Sequence, residues 1–255
     1  MARTPMIAGN WKMNTLREEA LSLARALRER ADGIAGVEKV VCPPFVFLHD
    51  VKQALAGSTI AVGAQNAYWE EKGAFTGEVS IAQVAEAAKY VIIGHSERRQ
   101  YFGETDETVN RRVKAALAHG AIPIMCVGET LDQRQKHETA DVLVRQTRGG
   151  LDGVNVGSDF VIAYEPVWAI GTGLAADGAT AEEAIALIRK TVREIARGVA
   201  DQVRILYGGS VTPDNIDEYM AQPDVDGGLV GGASLKADSF TALIQGAATA
   251  VAGRA

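Results

Sequence analysis

Short apolar runs recur along this chain, and amphipathic stretches separate them. The runs fall at Met6–Gly9, Lys39–Cys42, Ile60–Ala64, Tyr90–Ile93, Ile122–Val127, Phe160–Tyr164, Arg204–Tyr207 and Gly228–Val230. They show little in/out alternation, which is the pattern of strands buried on both faces. The stretches between them include Leu16–Arg30, Asp106–His119, Ala181–Arg197 and Pro213–Met220, all spaced as helices. Thr180, ahead of Glu182 and Glu183, and the Pro213-Asp214 pair read as helix starts. Eight strand–helix units in succession predict an α/β protein with a parallel sheet and right-handed crossovers. Within 255 residues they fit a closed (β/α)8 barrel better than an open doubly wound sheet, the alternative topology. No composition break or Ser/Pro-rich linker divides residues 1–255, so one domain is expected. The 47% of hydrophobic residues are enough to fill one large core.

The charge balance narrows the function. A net charge of -6 argues against nucleic acid, whose binding proteins usually carry basic patches. An anionic substrate would need locally placed positive charge. The two cysteines, Cys42 and Cys126, have neither metal-ligand spacing nor a disulfide framework, and reduced thiols of a cytoplasmic protein are the simplest reading. The N-terminus lacks the apolar segment of a signal peptide, and no apolar stretch reaches the roughly 18 residues of a membrane span. The four histidines form no paired ligand motif, so no metal is expected. No Gly-x-Gly-x-x-Gly follows the first strand, which disfavours a dinucleotide cofactor. No lysine sits mid-strand at a predicted barrel interior, which disfavours a Schiff base.

Five unusual clusters each follow an apolar run: Asn10-Trp-Lys12, Gly94-His-Ser-Glu-Arg-Arg99, the segment from Glu165, Tyr207-Gly-Gly-Ser210 and Gly231-Gly-Ala-Ser234. In a barrel all five would meet at the C-terminal face, where active sites of this fold lie. Lys12 is a point cation suited to a phosphate or developing oxyanion; its competing role is a surface ion pair. His95 suits carbonyl polarisation or proton transfer, against a histidine merely hydrogen-bonded at a strand end. Glu97 is placed to hold Lys12, with Ser96 as a further support, and Arg98 and Arg99 suit ion pairs around the barrel rim. Glu165 stands at a strand exit, where a carboxylate serves as general base or as a plain cap. Pro166 and the Gly171–Gly173 end give its loop the make-up of a hinged lid that excludes water. Trp168 is either the anchor of that lid or simple packing. The Gly208-Gly209-Ser210 and Gly231-Gly232 segments follow consecutive strands, and their backbone N–H groups suit a phosphate.

Taken together, several segments resemble the triosephosphate isomerase family. They are Gly9–Asn14, Gly63–Asn66, Gly73–Val79, Val91–Arg99, Cys126–Glu129, Ala163–Gly173, Tyr207–Val211 and Leu229–Leu235, in the family's order along nearly the whole chain. The resemblance implies a TIM barrel that interconverts dihydroxyacetone phosphate and glyceraldehyde 3-phosphate with no cofactor or metal. It implies Glu165 as base, His95 as electrophile and Lys12 as the stabiliser of enediolate charge, with Asn10 beside it. Phosphate would be held near Gly171, Ser210, Gly231 and Gly232. It also implies a homodimer in which the Gln65–Glu78 loop, through Phe75 and Thr76, packs against the partner's 10–13 region. The chain departs from the family after Gly173. There Leu174-Ala-Ala-Asp-Gly-Ala-Thr180 lacks the usual basic residue and reads as a longer segment. Two rival readings are weighed beside this one. One is another phosphate-binding barrel, a lyase or epimerase, which calls for a metal or Schiff-base lysine. The other is an inactive scaffold, which would be expected to have lost Lys12, His95 or Glu165.

Overall fold

The structure of the protein is a computed structural model that describes residues 3–170 and 176–252. Its eight strands form one closed parallel barrel in sequence order, β8 pairing with β1. The first half comprises β1 (Met6–Asn10), α1 (Arg17–Ala31), β2 (Glu38–Cys42), α2 (Leu48–Ala54), β3 (Ile60–Ala64), α3 (Ile81–Ala85), β4 (Tyr90–Ile93), α4 (Ser96–Tyr101) and α5 (Asp106–Ala118). The second half comprises β5 (Ile122–Val127), α6 (Leu131–Gln135), α7 (Thr139–Leu151), β6 (Val161–Tyr164), α8 (Gly178–Ile195), β7 (Arg204–Tyr207), α9 (Ile216–Met220), β8 (Gly227–Val230) and α10 (Ala237–Ala252). This is a single-domain closed (β/α)8 barrel, as the succession of apolar runs predicts. No described helix is long and apolar enough to cross a membrane.

The strands lack alternation because both of their faces are buried. Met6, Ala8, Val40, Cys42, Tyr90, Ile92, Ile124, Cys126, Val161, Ala163, Leu206 and Leu229 pack together in the barrel's interior. Their neighbours in sequence, such as Ile7, Val41, Val91, Ile93, Val127, Ile162 and Ile205, pack against the helices outside. Lys39 follows the same rule. It is buried on β2, and its ammonium leaves the barrel to donate to the Ala31, Asp32 and Ile34 carbonyls at 3.3, 3.0 and 2.7 Å. It therefore satisfies the C-terminal end of α1 rather than projecting into the interior.

Two expectations at helix starts are corrected. The N-cap of α8 is Asp177, whose carboxylate accepts from the Thr180 N–H at 2.7 Å, so Thr180 already lies inside the helix. Of the run that departs from the family, residues 178–180 form the first turn of α8. The 213–220 stretch yields a helix only over Ile216–Met220, because the Asn215 side chain accepts from the Thr212 N–H at 2.8 Å and holds the preceding residues in a turn. Two of the crossovers, after β4 and after β5, hold two helices each.

Candidate active site

The C-terminal ends of the strands bring the five clusters together. Asn10, Lys12, His95, Glu165, Ile170, Gly208–Thr212, Leu229 and Gly231–Ala233 line one cavity of about 260 Å³. Of the sequence-derived candidates, Gly171 falls outside the described residues, as does Gly173. Thr76 and Phe75 lie elsewhere, on an exposed loop after β3.

Lys12 follows β1 with a left-handed φ of 54°, a conformation that costs energy in a residue with a Cβ. Its backbone N–H donates to Asn10 Oδ1 at 3.0 Å, and its carbonyl accepts from Gln65 Nε2 at 2.8 Å. The same Gln65 amide donates to the Cys42 carbonyl at 2.8 Å, which ties three loops together. The Lys12 ammonium meets Glu97 Oε1 at 2.6 Å, as expected for that pair. Arg98 pairs with Glu104 at 2.5 Å and Arg99 with Asp106 at 2.7 Å, both structural contacts at the rim.

His95 is the N-cap of α4. Its Nδ1 accepts the Glu97 N–H at 3.2 Å, which fixes the remaining ring proton on Nε2. Nε2 lies 2.8 Å from Glu165 Oε1. Glu165 is 2% exposed, and its Oε2 accepts the Ser96 N–H at 2.8 Å. Ser96 thus supports the site through its backbone. Burial works to raise the Glu165 pKa. His95, by charge and hydrogen bond, with the Ser96 N–H and Lys12, outweighs burial and holds the carboxyl below its usual value. Burial works to lower the His95 pKa, and the Glu165 carboxylate outweighs it upward. That upward push belongs to the contact with Glu165. The N–H donated to Nδ1 favours an unprotonated nitrogen there.

Residues not singled out as chemical from the sequence complete the site. A Cβ on Gly128 would fall 1.7 Å from the Glu165 carbonyl oxygen, so only glycine allows β5 and β6 to deliver Glu165 where it stands. Glu129 is fully buried and accepts from Tyr164 Oη at 3.1 Å and from Trp168 Nε1 at 2.8 Å. Arg134 covers the Trp168 ring at 4.4 Å. Trp168 is therefore an anchor for the segment after Glu165. A larger cavity of about 820 Å³ lies between α4, α5 and the β5–α6 connection. Glu165 and Ser96 line it as well, so the carboxylate stands in a wall shared by two cavities. Lys12, His95 and the two glycine turns line the smaller one. Both cysteines are free and buried, and burial pushes Cys42 up to about 12.

A parallel barrel whose C-terminal mouth gathers a carboxylate, an imidazole, an ammonium and two glycine turns has the make-up of an enzyme site for a small anion. Comparison with known proteins makes this specific. The family model described as triosephosphate isomerase matches residues 5–247. The triosephosphate isomerase of Moorella thermoacetica is 56% identical over 246 residues, which cover 95% of this chain and 98% of that protein. Those of Endomicrobium trichonymphae and Citrifermentans bemidjiense are 52% and 53% identical, again over 95% of this chain and 98% of each relative. The chain belongs to the triosephosphate isomerase family and is an isomerase.

Proposed function

We propose that the protein interconverts dihydroxyacetone phosphate and D-glyceraldehyde 3-phosphate through an enediolate, serving glycolysis and gluconeogenesis in the cytoplasm. The observation that carries this reading is the convergence of Glu165, His95 and Lys12 on one cavity with Ser210, Gly231 and Gly232. Glu165 takes the proton from the carbon beside the substrate carbonyl and returns it to the neighbouring carbon. His95 donates its Nε2–H to the substrate oxygens, and Lys12 stabilises the negative charge that develops on them. A positioned general base typically supplies about 10²–10⁴-fold, so charge stabilisation must supply much of the remainder.

The present contacts set a condition on the mechanism. Nε2 of His95 and both oxygens of Glu165 are occupied by each other and by Ser96. Substrate must displace the His95–Glu165 contact, which frees the base and the electrophile in one step. The phosphate is held at the Ser210 and Gly231–Gly232 end, with Gly171 as a fourth donor. The segment from Pro166, with Trp168 at its anchored end, excludes water and protects the enediolate from losing phosphate. No metal or cofactor enters this scheme.

We also propose a homodimer. Met13, Leu16, Val46, Phe75, Tyr101 and Phe102 are exposed large apolar residues, Met13 at 96%. They stand on the connections after β1, β2, β3 and β4, four consecutive strands of the barrel wall. Exposed apolar residues on four successive connections fit an interface with a second copy of this chain. In it Thr76 packs against the partner near the region that carries Lys12.

The test is a coupled assay with glyceraldehyde 3-phosphate, run with and without chelator. Turnover that chelation leaves unchanged is expected. Absence of turnover, or its loss on chelation, overturns the reading.

A further inference from the structure

The chain that leaves the site toward α8 is gripped from α9. Tyr219 Oη donates to the Ala176 carbonyl at 2.6 Å, and the Ala176 N–H donates to Tyr207 Oη at 3.3 Å. The two phenol rings stack, with centroids 4.2 Å apart and 24° between their planes. Two mutually supporting tyrosines therefore hold both polar groups of one residue. Two residues on, the Gly178 N–H donates to a Glu218 carboxylate oxygen at 2.5 Å, where the first turn of α8 favours negative charge. The absence of a side chain on Gly178 allows this approach. A Cβ there would fall 2.8 Å from Gln222 Nε2 and 3.1 Å from the Glu218 carbonyl oxygen. Ala176, Tyr207 and Tyr219 are buried, so these bonds are shielded from water.

The grip borders one wall of the site. Tyr207 runs directly into Gly208–Thr212, which line the cavity, while Ala176 lies on the C-terminal side of residues 171–175, which are outside the described residues. We propose that Tyr219 and Glu218 are positioning residues for the isomerisation. They hold the chain around Ala176 against the Tyr207–Ser210 turn, and thereby set how tightly the cavity binds the substrate's phosphate. Neither residue lines the cavity or touches a reacting group. The proposal rests on reading this cavity as the triose phosphate site.

Tyr219→Phe keeps the ring stack and deletes the hydroxyl. KM for glyceraldehyde 3-phosphate and the inhibition constant for inorganic phosphate should rise together, by about three- to tenfold for one lost buried hydrogen bond. kcat should stay within about twofold, since the contact serves ground state and transition state alike. Glu218→Ala should move both constants in the same direction. Glu218→Gln, which keeps an oxygen for the Gly178 N–H, should restore most of the binding. Variants that melt at lower temperature but match the wild type in KM and phosphate inhibition would overturn the proposal, because their role would be structural alone. A wild-type protein that neither turns over the substrate nor is inhibited by phosphate would overturn the reading of the site and this proposal with it.

Discussion

Nε2 of His95 stands 2.8 Å from Oε1 of Glu165, and the Ser96 N–H holds the other carboxylate oxygen at the same distance. A buried carboxylate is thereby kept ionised, and Nε2 of the buried imidazole meets it within the wall of the cavity. In the mechanism proposed above, substrate parts this pair.

The titration of Glu165 should report this contact. Its carboxyl lies below its ordinary value because His95, the Ser96 N–H and Lys12 together outweigh burial. Carbon-13 NMR of the Glu165 carboxyl should give a midpoint below 4.5 in the wild type. In His95→Ala burial acts with fewer opponents, so the midpoint should move upward. An unmoved midpoint would contradict the coupling.

Lys12 holds a costly left-handed backbone conformation while presenting its ammonium to the cavity and to Glu97. Lys12→Met should lower kcat/KM by about 10²–10³-fold, the usual cost of removing one charge-stabilising donor. Circular dichroism should show the fold retained. Activity within a few-fold of the wild type would exclude Lys12 from the chemistry.

The exposed loop after β3 gives the dimer its test. Residues 70–78 are all exposed, and the Phe75 ring packs 4.9 Å from Tyr68 within the loop itself. Thr76→Arg should shift light scattering toward monomer and lower activity in parallel. A monomer as active as the wild type would contradict the shared-site arrangement.

The barrel floor predicts an acid limit to stability. Glu38 is partly buried, and bonds from Lys89, Tyr90 and Arg204 outweigh that burial and hold it at about 2 against an ordinary 4.5. A depressed carboxyl contributes stability above its unfolded value and loses it as pH falls through the folded one. Discounted for partial exposure, the contribution is about 1–2 kcal/mol at neutral pH. Glu38→Gln should melt below the wild type at pH 7, and the gap should close between pH 4.5 and about 2. A gap independent of pH would contradict the assignment.

Much of this architecture is legible in the sequence because a barrel strand buried on both faces leaves an unbroken apolar run. Strand positions follow within a residue at each end; Glu38, for example, extends its strand by one. Helix starts are less legible, since several polar residues near an end compete to cap it. Asp177 caps α8 because its carboxylate reaches the Thr180 N–H, although Thr180, ahead of Glu182 and Glu183, is the start that the sequence suggests. Lys12, His95 and Glu165 are visible because each stands within three residues of the end of an apolar run. Gly128 and Gln65 are not visible individually. Their roles arise only when the closed barrel brings Gly128 against the Glu165 carbonyl and Gln65 against the Lys12 carbonyl. Tyr219 likewise reads as one apolar residue of a short helix until the fold sets its hydroxyl on Ala176.

The central claim is that Glu165 is the base. Steady-state turnover of Glu165→Gln tests it most directly, because glutamine keeps the size of the side chain and removes its basicity. The fold by circular dichroism and inhibition by inorganic phosphate should be retained, while kcat falls by about 10²–10⁴-fold. A folded, phosphate-binding Glu165→Gln protein that turns over near the wild-type rate would contradict the account.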